Sequence, residues 1–212
     1  MLIFNVIILL VVGLGMESKK VLNVGGNSKK IQLPPMYAGF EHILLDIDPE
    51  GEPDIVCDAR KLTTLGGDQF DAVYCSHNLE HYYRHDVSQV LTGFLHVLKD
   101  SGFVHIRVPD INEVMRVTIE QGLDIDDPLY QMPAGPILVR DVLYGSGVEI
   151  ERSGQDFFAH KTGFTQKSLN NVLKEAGFSW IYSGVGNFEV AAFAFKGEPD
   201  QFTRALLDLP GS

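Results

Sequence analysis

A chain of 212 residues is long enough to bury a full core as one domain. Its net charge of −11 leaves no basic surplus to neutralise phosphates, which excludes a general nucleic-acid binder. The two cysteines, Cys57 and Cys75, stand in apolar strand-like runs without metal-type spacing, so they read as buried reduced thiols.

Met1 to Met16 is apolar except for Asn5 and lacks the Lys or Arg that begins a secretory signal. It is also short of the roughly 20 residues that cross a bilayer comfortably. Lys19 and Lys20 follow directly, which would hold the rest of the chain on the cytoplasmic side if the segment inserted. Residues 1–18 are therefore set apart as a hydrophobic segment, with residues 1–16 a candidate membrane anchor. The alternatives are an element packed on the domain and a start placed too far upstream. The domain itself is expected in the cytoplasm, tethered to the membrane's inner face only if the segment inserts.

Val21 to Val24 forms a first strand that breaks at Gly25-Gly26-Asn27, and a short helix is expected before the second strand, Ile43-Leu44-Leu45. That strand ends in Asp46-Ile47-Asp48-Pro49. An acidic residue thus follows the glycine turn by one βαβ half-unit, the spacing at which backbone N–H groups meet a ligand at the first turn and a carboxylate takes ribose hydroxyls at the second. Asp54 to Asp58 reads as a third strand, Thr63 to Asp68 as a surface loop, and Phe70 to Cys75 as a fourth, nearly apolar strand ending at Ser76-His77-Asn78.

Asp86, with Gln89 as a capping-box partner, opens a helix whose Val87, Val90, Leu91, Phe94, Leu95 and Leu98 fall on one face. Ser101-Gly102 stops it before a fifth strand, Phe103 to Val108, and a second helix begins at Asp110 with Glu113 as its box partner. Leu123 to His160 is rich in proline and glycine, and so long a connection suits a lid or substrate-binding insert, placed at 123–160. Thr165 caps a further helix that Gly177 stops. Phe178 to Ser183 and Phe188 to Lys196, joined at Gly184 to Asn187, must then be antiparallel neighbours. The domain spans 19–196, and 197–212 reads as a tail. Strands alternating with helices demand an α/β fold, a doubly wound and mostly parallel sheet, here with a terminal antiparallel hairpin.

Val21-Leu22-Asn23-Val24-Gly25-Gly26, Leu45-Asp46-Ile47-Asp48, Val56-Cys57-Asp58-Ala59 and Phe70-Asp71-Ala72-Val73 together resemble a class I S-adenosylmethionine-dependent methyltransferase. Ser76-His77-Asn78-Leu79-Glu80-His81 is similar to the x-His-x-x-Glu-His segment that small bacterial members carry after the fourth strand, and His160 to Thr165 matches the same subgroup. The resemblance implies a Rossmann-like, seven-stranded sheet and S-adenosylmethionine as cofactor. Two residues depart from the family pattern: Asn27 replaces the second glycine of the turn, and Asn23 stands where an acidic residue is common.

The resemblance also implies roles. Gly25 and Gly26, with Asn23 two residues before the first of them, would admit the methionine end of the cofactor. Asp46 would accept from both ribose hydroxyls, and Ile47 would pack on the adenine. Asp58 would accept from the adenine amino group, and the Ala59 N–H would donate to a ring nitrogen. Ser76 and His77 would stand where the methyl meets its acceptor, which is expected to be a small molecule or a glycan. His77 and His81 are candidates to take a proton from the acceptor or hold it in line, with His160 closing over it from the insert.

His77, His81 and His85 recur every four residues, but the segment lacks His-Glu-x-x-His and a fourth ligand, so no metal is expected. A nicotinamide-dependent oxidoreductase is the rival enzyme, and Gly25-Gly26-Asn27-Ser28-Lys29-Lys30 lacks the later glycines it needs. A non-catalytic cofactor-binding or scaffold module of the same fold is the other alternative.

Overall fold

The computed structural model describes residues 18–133 and 135–210. The candidate anchor at residues 1–16 lies outside the described residues. Among those described, no helix is long and apolar enough to cross a membrane.

Seven strands form one sheet: β1 (Lys20–Val24), β2 (Glu41–Asp46), β3 (Ile55–Val56), β4 (Phe70–Ser76), β5 (Leu98–Pro109), β8 (Trp180–Gly186) and β9 (Glu189–Phe195). Their order is β3-β2-β1-β4-β5-β9-β8, with β1 to β5 parallel and the β8–β9 hairpin antiparallel to β5. A two-stranded hairpin, β6 (Pro128–Met132) and β7 (Gly135–Leu138), stands apart from it. The chain runs outward one way through β1, β2 and β3 and the other way through β4 and β5. The carboxyl ends of β1 and β4 therefore part at the reversal, where α/β sheets open a ligand crevice.

The two faces of the sheet are covered unequally. One face packs against α1 (Val87–Val97) and α5 (Gln166–Ala176), burying Val90, Leu91 and Phe94 from the first and Leu169, Val172 and Leu173 from the second. These are the positions that the 3.6-residue periodicity picks out. The other face buries Val21, Ala72, Tyr74 and Phe103 under Tyr37 and Leu207. Tyr37 belongs to a single 3-10 turn at Pro35–Tyr37, so the helix expected between β1 and β2 is absent. Pro34 and Pro35 supply no N–H and fix φ, which suits one tight turn and not a longer helix. Leu207 follows α6 (Gln201–Leu206), so the segment read as a tail instead packs on the sheet and closes this face.

Local departures have equally local causes. The capping box at Asp86 is not formed, because its carboxylate turns to Arg60. At α2 (Ile111–Gln121) Asp110 accepts from the Asn112 N–H, while Glu113 pairs with Arg116. The loop expected from Thr63 begins inside a helical turn, Ala59–Thr64. The terminal hairpin turns one step later than expected, at Asn187-Phe188, both in the left-handed region (φ 52° and 61°). The 123–160 insert folds as the β6–β7 hairpin followed by α3 (Val139–Tyr144), α4 (Gly147–Ser153) and a turn at Asp156–Phe158.

Candidate active site

A cleft of about 260 Å³ opens at the carboxyl ends of β1, β2 and β4. Gly25, Asp46, Ile47 and Asp58 form one side, His77, Asn78 and His81 the other, and Phe157, Phe158 and Lys161 approach from the insert and its exit. Among the residues expected at the site, Gly25, Asp46, Ile47, Asp58, His77 and His81 line this cleft. Asn23, Gly26, Ala59, Ser76 and His160 do not line it.

The glycine turn is set by close packing. Gly25 has φ +70°, and a Cβ there would fall 2.0 Å from Nδ2 of Asn78. Its N–H donates to the Leu45 carbonyl, tying the turn to β2. Gly26 leaves room for the buried side chain of Asn23, whose amide meets Nε2 of His42 at 3.1 Å. Asn23 is thus a support beneath the turn. Asn27, which replaces a family glycine, takes the left-handed conformation that asparagine tolerates (φ 59°).

That conformation aims the Asn27 N–H at Oδ2 of Asp46 (2.9 Å), while the Asp48 N–H donates to Oδ1 (3.0 Å). Each oxygen of this largely buried carboxylate keeps a second lone pair for a ligand. Asp58 is more heavily engaged. Arg60 donates from Nε to both of its oxygens (3.1 and 2.9 Å) and from Nη2 to one of them at 2.6 Å. Burial pushes the Asp58 carboxyl up, but the hydrogen bonds and charge of Arg60 outweigh it and hold the group below the usual carboxylate range. Arg60 also reaches Asp86 at the start of α1 (3.3 Å), so one guanidinium ties the Asp58 wall of the cleft to that helix.

His77 directly follows β4 in the left-handed region (φ 49°), with its N–H donating to the Arg107 carbonyl. Its Nε2 meets Glu189 at 2.6 Å and its Nδ1 lies 3.6 Å from Glu80. Burial lowers its pKa, but the two carboxylates prevail and raise it to about 9. At neutral pH the ring is therefore an imidazolium, its Nε2–H donating to Glu189 and its Nδ1–H facing Glu80 from beyond hydrogen-bond distance, so neither nitrogen is free to take a proton. Arg107 pairs with the other oxygen of Glu189. His81 directs Nδ1 at the Ala159 carbonyl (3.1 Å), and His160 directs Nδ1 at the Val142 carbonyl (2.9 Å). A carbonyl only accepts, so both rings carry their proton on Nδ1 and keep Nε2 for other work. His85 stays on the surface, with its side chain 80% exposed.

The structure adds residues that pattern reading passed over. Asn78 packs on Gly25, and Arg60 is an i+2 partner of Asp58 legible only as a charge of suitable sign. Glu189 arrives from the far hairpin, with no local signal to mark it. Glu80 was quoted only as part of a motif, yet it is 1% exposed and lies among three histidines.

Residues 33–106 match the family described as a methyltransferase domain. A search of curated proteins finds no match. Among solved structures, the fold is similar to that of an S-adenosylmethionine-dependent methyltransferase from Archaeoglobus fulgidus, at 15% identity over 84% of this chain and 86% of that one, with a TM-score of 0.54. It is also similar to one from Methanosarcina mazei, at 16% identity over 86% and 95% of the two chains (TM-score 0.54). A protein from Pyrococcus horikoshii shares the fold at 18% identity over 84% and 82% of the chains (TM-score 0.57). Residues 33–106 thus match a methyltransferase domain, and the seven-stranded sheet has the Rossmann-like fold that solved class I S-adenosylmethionine-dependent methyltransferases share.

Proposed function

We propose that the chain transfers a methyl group from S-adenosylmethionine to a small-molecule or glycan acceptor held between His77, His81 and the insert. The observation that carries this reading is Asp46. Its carboxylate is fixed by two backbone N–H groups at the mouth of the cleft, beside a glycine turn packed too tightly for a side chain. A carboxylate so placed suits a pair of ribose hydroxyls, with Ile47, half-exposed beside it, offering an apolar face to adenine.

Asp58 enters this scheme with Arg60 already on both oxygens, so an adenine amino group would have to share that carboxylate. The neighbouring Ala59 N–H is the simpler adenine partner. The methyl donor is a sulfonium, already activated, and the protein's contribution is alignment for in-line displacement, worth about 7–11 kcal/mol in favourable cases. S-adenosylmethionine, when bound, would supply its methyl carbon to the acceptor's lone pair, with the C–S electron pair leaving on sulfur and any proton on the acceptor passing to solvent. His77, charged and held by Glu189, serves here as a positioning group. Phe157 and Phe158 bring apolar surface to the acceptor side. The acidic balance of the chain supports a small or glycan acceptor over a polyanion.

Calorimetric titration with S-adenosylmethionine, and separately with NAD, tests the cofactor. Heat with the first and none with the second is expected; heat with NAD alone overturns the reading. The cytoplasmic setting, with residues 1–16 as a tether, is proposed on the strength of Lys19 and Lys20 following an apolar run. Full-length protein already soluble after a carbonate wash would remove the tether.

A further inference from the structure

Glu80 is a buried carboxylate without a hydrogen-bond donor. It is 1% exposed, and neither Oε1 nor Oε2 has a hydrogen-bond partner among the described residues. Leaving a charge in this condition costs several kcal/mol, so a buried carboxylate ordinarily has a partner or a bound cation. The groups nearest to it are imidazole nitrogens: Nε2 of His160 at 3.9 Å and Nδ1 of His77 at 3.6 Å.

The surrounding backbone shows that this placement is built. Glu80 and His81 lie in the turn Leu79–His81 that follows β4, and His160 lies at the end of the insert, about eighty residues on. The Glu80 carbonyl accepts the N–H groups of Lys161 (2.8 Å) and Thr162 (3.1 Å), and the His160 N–H donates to the Tyr144 carbonyl (3.0 Å). These bonds clamp the two segments together. The rings of His81 and His160 then meet edge to face, with centroids 4.9 Å apart.

Both rings are also oriented in the same sense. Each gives its Nδ1–H to a backbone carbonyl, so each keeps an Nε2 lone pair when neutral. Outer hydrogen bonds of this kind fix the tautomer and aim of metal-binding histidines. One ligand atom from each of Glu80, His81 and His160 lies within 4.8 Å of the other two. Three electron-pair donors facing one another with no proton between them repel, and a cation at their centre resolves the repulsion.

We propose that Glu80, His81 and His160 form a three-ligand site for a divalent first-row transition-metal ion. Two imidazoles and one carboxylate suit manganese, iron, cobalt or zinc better than calcium or magnesium, which prefer oxygen ligands alone. The ion gives the Glu80 oxygens the direct bond that His77, 3.6 Å away, does not supply. Drawing the ligand atoms in to bond lengths of about 2.0–2.2 Å requires side-chain movements on the order of an ångström. His81 also lines the cleft, so the open coordination positions face it. Resting on the methyl-transfer reading above, this placement favours acceptors that offer an oxygen to the ion. The absence of His-Glu-x-x-His misleads here because the third ligand comes from a distant segment.

Calorimetry with manganese(II) and with zinc(II) on the full chain, in the absence of any cofactor, tests the site. One ion per chain is expected, together with an enhanced water-proton relaxation for bound manganese that reports its open positions. Glu80→Gln should weaken binding by more than about 100-fold, well beyond the 10- to 100-fold typical of outer-shell changes, and His85→Ala should leave it unchanged. His160→Gln and His81→Gln carry the same expectation and serve if Glu80→Gln does not fold, circular dichroism being the check. No binding of either ion at millimolar concentration, or undiminished binding in folded Glu80, His81 and His160 variants, overturns the site. Titration with S-adenosylmethionine in the same samples keeps a failure of the metal site distinct from a failure of the methyltransferase reading.

Discussion

Nε2 of His77 stands 2.6 Å from Oε1 of Glu189, joining the end of β4 to the first residue of β9 across 112 positions of sequence. Because Glu189 also holds Arg107 of β5, the carboxyl edge of the sheet is cross-braced over three strands beside the cleft. The His77 side chain is 46% exposed, so solvent screens the pair and limits its worth. A double-mutant cycle of His77→Gln and Glu189→Gln, read by urea unfolding, is expected to give a coupling energy of about 0.2–1 kcal/mol. No coupling would mean that the pair does not form in solution.

Asp46 is expected to dominate cofactor affinity. Asp46→Ala removes charge-assisted contacts worth about 1.5–3 kcal/mol each, a loss of roughly 10- to 150-fold in affinity for S-adenosylmethionine. Isothermal calorimetry reads it directly. Unchanged affinity in the folded variant would detach the ribose from this carboxylate.

The sequence made the sheet legible and the site only half so, and the reason lies in the range of the signals. The apolar runs at Val21, Leu44 and Val73 and the helical faces of α1 and α5 repeat at 2.0 or 3.6 residues, so local pattern exposes them. Gly25, Asp46 and Asp58 are legible because each ends such a run. Glu189, Arg60 and the meeting of Glu80 with His160 depend on distant segments folding together, which no local period encodes. The missing helix between β1 and β2 has a different cause. Pro34 and Pro35 were on view, but the expectation of a full βαβ unit outweighed them. Leu207 was assigned to a tail because one apolar turn near a terminus is too short a signal.

Gly25 should tolerate no side chain. With φ at +70° and the Asn78 amide 2.0 Å from a built Cβ, Gly25→Ala carries both backbone strain and a clash. The strain alone is of order 1–3 kcal/mol. Thermal unfolding is expected to shift down by roughly 2–4 °C per kcal/mol, and cofactor heat should fall with it. Asn78→Ala in the same background removes the amide clash but leaves the Cβ of residue 78 at 2.8 Å and the strain in place, so it should restore only part of the loss. Full recovery in the double variant would show that contact, and not φ, sets the requirement for glycine.

His105 makes the stability of the fold depend on mild acid. Its ring is 5% exposed between Tyr74 and Phe193, with the Tyr37 hydroxyl 3.3 Å from Nδ1. Burial, aided by the charge of Arg107 and opposed by Glu189, lowers its pKa to about 4. An unfolded chain protonates this histidine near pH 6.5, so between pH 6.5 and 4 the unfolded state binds the additional proton. The stabilisation is complete above pH 6.5 and is lost as the pH falls toward 4, a total of roughly 3 kcal/mol at 1.36 kcal/mol per unit. His105→Phe keeps an aromatic ring beside Phe193 but leaves the Tyr37 hydroxyl without its partner, which costs about 1–3 kcal/mol at pH 7. Urea unfolding of both proteins at pH 7.5, 5.5 and 4.5 should therefore show the wild type losing its advantage as acid is added. The comparison also cancels the paired carboxylates, which both proteins share. Parallel slopes for the two proteins across that range would mean that His105 is protonated as readily in the folded chain as in the unfolded one.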